Sequence, residues 1–152
     1  MINELMRLTE LTELMLPDQL NGRKGTNRVI ERTSQIPAQT DLDAINCWLA
    51  EFRDVQNTQR SYRKDAERLL LWAINERQKA LSSVTGEDLK VYAEFLSNPQ
   101  PAELWCGQKR GRKCKRWSEG WRPFQGPLKP PSKITALANL EALVDYVVEV
   151  DY

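Results

Sequence analysis

The stretch Asn57–Lys79, NTQRSYRKDAERLLLWAINERQK, decides the fold. It holds no glycine and no proline, and Asn57 or Thr58 is suited to cap its start. Tyr62, Ala66, Leu69, Leu70 and Ala73 recur at i, i+4, i+7, i+8 and i+11, which is one face of an α-helix. At about 100° per residue, Arg60 and Lys64 fall on nearly the opposite side, with Arg63 on the flank. One helix thus offers an apolar face to a core and a basic N-terminal face to something else. Glu67 stands four residues after Arg63 and three after Lys64, so local ion pairs can absorb part of that charge. Taken alone, the basic face is equally well explained as a solvated surface.

Upstream, Thr40 is placed to cap a helix with Asp41 and Asp43 in its first turn. Leu42, Ile45, Trp48, Leu49 and Phe52 then predict a helix over 41–54. Downstream, Thr85 and Asp88 approximate a capping box and Val84 and Leu89 a hydrophobic staple. Leu89, Tyr92, Ala93 and Leu96 form that helix's inward face, and Pro99 and Pro101 stop it. A last helix follows Pro130 and Pro131, with Ser132 as its predicted N-cap. Its apolar band runs through Ile134, Leu137, Leu140, Leu143, Val144, Val147, Val148 and Val150, with Glu141, Asp145 and Glu149 as the wet strip. The closing valines also suit a strand, but the unbroken pattern from 134 favours the helix. No C-cap precedes Asp151 and Tyr152, so the chain reads as a fragment of a longer one, the alternative being a natural terminus that frays.

At the other end, residues 4–16, ELMRLTELTELML, predict a short helix with Leu5, Leu8, Leu11 and Met15 inward, ended by Pro17. Residues 17–39 are polar, with Gly22, Gly25 and the bases Arg23, Lys24 and Arg28. They read as a flexible arm, better explained as a plain linker than as a nucleic-acid contact. The expected organisation is an arm over 1–39 and one all-α domain over 40–152.

Residues 98–131 differ. Six prolines and four glycines exclude a long regular element. Trp105, Trp117, Trp121 and Phe124 alternate with Lys109, Arg110, Arg112, Lys113, Lys115, Arg116 and Arg122. The aromatics are best read as anchors that hold a long loop on the domain. The seven bases in residues 109–122 face a single acid, so local ion pairs do not account for them and polyanion contact does.

Composition sharpens this. The 152 residues suffice for one domain with a real core, and the net charge is only +1. Yet residues 98–133 carry nine bases against two acids, a net of +7, while 134–152 carry four acids and no base. Such a segment is the electrostatic footprint of a polyanion partner. The absence of histidine excludes Ser-His-Asp and Cys-His catalysis and every His-containing metal motif. Cys47, Cys106 and Cys114 lack CxxC spacing and fit neither a disulfide framework nor a zinc site. They read as free thiols in a reducing cytoplasm, with a local Cys106–Cys114 crosslink open to them in an oxidising one. No metal or cofactor is expected, no apolar run has the length of a membrane span, and the start lacks a signal-peptide layout.

With four helices and a basic loop in place, the residues resemble a known family. Thr58-x-Arg60-Ser61-Tyr62-Arg63-Lys64-Asp65 followed by Leu69-Leu70-Leu71-Trp72-Ala73 is similar to the second helix of the core-binding domain of tyrosine recombinases, the phage-integrase family. Leu81-Ser82-Ser83-Val84-Thr85-x-Glu87-Asp88-Leu89 resembles that domain's next turn and helix. Ser132-x-x-Thr135 with Leu137, Leu140, Leu143 and Val144 resembles its last helix. The resemblance covers 41–152 and departs in two places: the 98–131 insert is longer and more basic than usual, and the catalytic half is absent.

The resemblance implies an orthogonal four-helix, SAM-like bundle that serves as one jaw of a clamp on double-stranded DNA. The partners it implies are the DNA, a C-terminal catalytic domain and other recombinase protomers, with no membrane. It implies no catalytic residue and no strand cleavage by this chain, although the parent would be a site-specific recombinase. The family presents the N-terminal portions of its second and fourth helices to the major groove. Mapped here, Arg60, Arg63, Lys64 and Lys133 meet phosphate, while Thr58, Ser61, Thr135 and Asn139 make shorter-range backbone or base-edge contacts beside Ser132. The principal alternative is a helical protein–protein interaction module using the apolar band of the last helix, and a third is single-strand binding through the Trp-rich loop.

Overall fold

Two Thr-x-x-Asp sequences start helices as their local chemistry dictates. The hydroxyl of Thr40 accepts from the Asp43 N–H at 3.2 Å, and the Asp43 carboxylate accepts from the Thr40 N–H at 3.3 Å. Thr85 and Asp88 repeat the arrangement at 3.2 and 2.9 Å. Each such cap contributes about 1 kcal/mol by satisfying N–H groups that have no partner within the helix. The computed structural model describes residues 20–28, 36–107, 121–150 and 152. Among them the architecture is all-α: α1 (Asp41–Ala50), α2 (Gln56–Glu76), a 3-10 turn (Leu81–Ser83), α3 (Gly86–Ser97), a single turn α4 (Ala102–Trp105) and α5 (Pro130–Glu149). No strand occurs among the described residues; Cys106 and Phe124 form one isolated bridge.

The boundaries correct the sequence reading in several places. α1 stops at Ala50 rather than 54. The amides of Glu51 and Phe52 turn back onto Trp48 and Leu49 carbonyls at 3.2 and 3.0 Å, and the Gln59 side chain donates to the Leu49 carbonyl at 2.8 Å. α2 starts earlier than predicted, with Val55 rather than Asn57 or Thr58 at the N-cap, so Asn57 and Thr58 sit inside its first turn. It ends at Glu76 rather than Lys79 because Gln78 adopts φ +53, which reverses the chain. α5 is preceded by Lys129 at the N-cap, with Pro130 in the first position. Ser132 lies within the first turn and does not cap it.

α2 is the central element. Its first turns show the one-sided pattern, but from Asp65 to Asn75 every residue except Arg68 is buried. A helix enclosed on all sides needs neighbours all round, and α1, α5 and the 3-10 turn supply contacts along it. Two aromatic clusters brace it. Near its start, Tyr62 stacks on Trp48 at 4.5 Å and meets Phe52 edge-on at 4.9 Å. Further along, Trp72, Tyr92, Phe95, Trp105 and Phe124 interlock at centroid separations of 5.0–6.4 Å.

The insert is anchored through this second cluster. Trp105 and Phe124 are fully buried, and Trp121 is half-buried against the core. The Trp105 indole N–H donates to Glu76 at 2.7 Å. Phe124 N–H donates to the Trp105 carbonyl at 3.0 Å, and Gly107 N–H donates to the Phe124 carbonyl at 2.7 Å. Arg68 lies over the Phe124 ring at 4.3 Å and donates to the Pro123 carbonyl at 2.9 Å. Both ends of the insert are therefore held at one point.

Residues 20–28 do not form the flexible arm expected of them. Asn27 donates through its backbone to Ser82 and through its side chain to the Val84 carbonyl, at 2.8 and 2.7 Å. Arg28 donates to the carbonyls of Tyr152, Gly22 and Gln39 at 3.0–3.1 Å and lies 3.8 Å above the Tyr152 ring. Gly22, at φ +89, sits so close to α1 that a Cβ there would overlap the Asp41 carboxylate. Tyr152 is not a frayed end: it is buried, and its hydroxyl donates to Asp41 at 2.6 Å. The predicted helix over 4–16 lies outside the described residues.

The apolar band of α5 is wider than its packing. Ala136, Leu140, Leu143 and Tyr146 are buried, whereas Ile134 and Val148 are each 70% exposed and Val144 is 47% exposed.

Candidate nucleic-acid interface

The first two turns of α2 present Arg60 and Lys64 to solvent, with Thr58, Ser61 and Arg63 half-buried beside them. The Trp48–Tyr62–Phe52 cluster fixes this end of the helix from the opposite side. Glu67 is 3% exposed, and among the described residues no ion pair joins Arg60, Arg63 or Lys64 to an acid. The charges beyond Lys64 are engaged in tertiary packing instead: Asp65 faces α5, and burial depresses the Arg68 pKa. The α2 N-terminus carries no acid in its first turn, so its unpartnered N–H groups add to the positive field.

α5 meets this surface at Asn139. Its amide nitrogen donates to Ser61 Oγ at 2.9 Å and to Asp65 Oδ2 at 2.7 Å. A carboxylate only accepts, so the –NH₂ end of the amide faces α2 and both its hydrogens are engaged. The Asn139 oxygen is left as the group open to a ligand. Two predicted site residues from elements 78 positions apart, Ser61 and Asn139, thus lie side by side.

The other predicted residues of α5 have distinct placements. Ser132 and Thr135 are exposed, and the Thr135 hydroxyl donates to the Pro131 carbonyl at 3.1 Å, which leaves its lone pairs free. Lys133 is drawn aside: its ammonium donates to Ser97 at 3.0 Å, on the α3 side. Lys109, Arg110, Arg112, Lys113, Lys115 and Arg116 lie outside the described residues. Arg122, at the base of the insert, donates to the carbonyls of Glu103 and Trp121 at 2.9 and 2.8 Å.

Asp65 is the site residue that sequence reasoning missed. It is a buried carboxylate that orients Asn139. Its signal was present, since it stands four residues before Leu69, close to the inward face of α2, where an acid needs a buried donor. Among the described residues no group of His, Cys, Asp or Glu is arranged to hold a metal, and no helix is long and apolar enough to cross a membrane. No protein-family model, curated protein or solved structure matches the chain.

Proposed function

We propose that this chain binds double-stranded DNA as the core-binding half-clamp of a site-specific tyrosine recombinase, with its jaw formed by the first turns of α2 and α5. The observation that carries this reading is the meeting of Arg60, Arg63 and Lys64, which no described acid pairs, with the polar start of α5 through the Asn139–Ser61 contact. Helix N-termini and unpaired bases are suited to phosphates, and hydroxyl and amide groups between them to shorter-range contacts. The order of helices and the resemblance of 41–152 to the core-binding pattern supply the class. Strand cleavage belongs to a catalytic domain outside this sequence.

The contacts divide by chemistry. Arg60, Arg63 and Lys64 meet phosphate, while Lys133 does so only if it leaves Ser97. With both amide hydrogens engaged, Asn139 acts as an acceptor. It does not make the two-point contact by which asparagine reads adenine; it suits a donor such as the cytosine amino group.

Affinity for a duplex, measured as a function of salt, tests the reading. Binding weakens with a log–log slope of about −0.9 per phosphate contact, and Arg60→Ala with Lys64→Ala together reduce that slope by about 1.8. No binding at low salt by a chain whose helical signal is intact rejects the proposal. The competing protein-interaction reading draws on the exposed Val144 and Val148.

A further inference from the structure

Asp65 is 3% exposed, so a duplex lying on the surface does not touch it. Through Asn139 it nonetheless decides what the duplex meets. The half-buried Asn139 amide has two ends of opposite chemistry, an –NH₂ that donates and an oxygen that accepts. Turned the other way, its oxygen would face Asp65 Oδ2 at the present 2.7 Å, acceptor against acceptor. A buried carboxylate would then lose its hydrogen bond and meet a repulsive dipole. Ser61 does not impose this choice, because a hydroxyl both donates and accepts and adapts to either end of the amide. Asp65 is therefore the group that fixes which end of Asn139 points outward. It is held in place by its own setting, between Ser61 and the fully enclosed Ala66–Leu70 portion of α2.

The chemistry of a matching base follows from that orientation. In the major groove cytosine and adenine each present an amino group, whereas guanine and thymine present keto oxygens and no donor. An outward amide oxygen accepts from an amino group and opposes a keto oxygen.

We propose, resting on the duplex-binding reading, that Asp65 is a specificity-determining positioning residue: by turning the Asn139 oxygen outward, it makes α5 select an amino-bearing base, cytosine or adenine, at one position of the duplex. Asp65 acts only through Asn139, so the preference is written in a residue that meets no base.

Selection from a randomised duplex library by the full chain, by Asp65→Asn and by Asn139→Ala tests it. The wild-type chain enriches cytosine or adenine over guanine and thymine at one position, and Asn139→Ala removes that enrichment. Asp65→Asn offers Asn139 a donor as well as an acceptor and frees the amide to present either end. Enrichment at that position then falls about fivefold, the worth of one hydrogen bond. Because the readout is a ratio among bases at one position, a general loss of affinity does not imitate it. If Asp65→Asn does not fold, NMR of the wild-type Asn139 side chain decides: both amide hydrogens exchange slowly with water and lie near the Ser61 and Asp65 methylenes. Freely exchanging amide hydrogens overturn the proposal. So does duplex binding whose base preferences are the same in the wild-type chain and in either variant, an outcome that leaves the duplex-binding reading standing. No duplex binding by the folded wild-type chain rejects both.

Discussion

Asp88 concentrates more interactions than any other described carboxylate. At 1% exposure it accepts from Lys79 at 2.8 Å, from Arg77 at 2.9 Å and from the Thr85 backbone at 2.9 Å. Lys79 first, then the Thr85 N–H and Arg77, hold its pKa well below the usual carboxylate range despite its burial. A folded value below the unfolded one means stability that is present above about pH 4 and lost as pH falls further. Asp88→Asn is expected to lose about 2–3 kcal/mol at pH 7, and the difference from wild type shrinks in urea titrations run below pH 4. Asp41 works in the opposite sense, because burial raises its pKa and its native form gains as pH falls. Tyr152 is pushed upward by burial and then by Asp41, and Tyr92 by full burial. A native phenol that holds its proton more tightly loses stability as pH rises past about 10. Tyr152→Phe is expected to lose about 1–2 kcal/mol at neutral pH and to soften the alkaline transition followed by circular dichroism. Thr40 was legible as an N-cap and Thr85 with Asp88 as a capping box because each closes within three residues; that Asp43 completes a box with Thr40 came from the structure. The bonds of Asp65 to Asn139 and of Asp41 to Tyr152 were not, since they join positions 74 and 111 apart.

At the scale of elements, α2 shows both what periodicity predicts and where it stops. Its first half is amphipathic as read, but Leu71, Trp72 and Ile74 are buried on sides the pattern left open. An enclosed helix is defined by its neighbours, and single-face spacing does not count them. Leu70→Ala, at a site with no exposure, is expected to lose about 3 kcal/mol or more in chemical unfolding. The end of α2 offers a gain instead. Gln78 occupies φ +53, a conformation that is unfavourable for a side chain, and Gln78→Gly is expected to raise stability by up to about 1 kcal/mol. α5 errs the other way. Its continuous valines predicted burial that the neighbouring described elements do not provide, and the surplus face lines a groove.

For the molecule as a whole, the all-α frame and the position of the basic helix face were legible from caps, breaks and spacing. The packing of residues 20–28 was not, because polar, glycine-containing sequence looks the same whether its hydrogen bonds go to water or to Ser82 and Val84. The candidate site was legible as two helix starts. Their junction through Asn139 needed the fold, and so did the diversion of Lys133 to Ser97.

The clasp formed by Trp105, Gly107 and Phe124 has a consequence for how this chain tolerates change. Because the insert leaves and rejoins the bundle at one point, its length is decoupled from the frame, and doubling such a loop adds only about 0.6 kcal/mol of closure entropy. Replacing Lys109, Arg110, Arg112, Lys113, Lys115 and Arg116 by serine, with the aromatics kept, is expected to leave the thermal midpoint nearly unchanged while removing six bases at once. Phe124→Ala should do the reverse, keeping every charge and losing about 3–5 kcal/mol. Measured side by side for duplex affinity and unfolding, the two variants separate the charge the insert carries from the fastening that holds it.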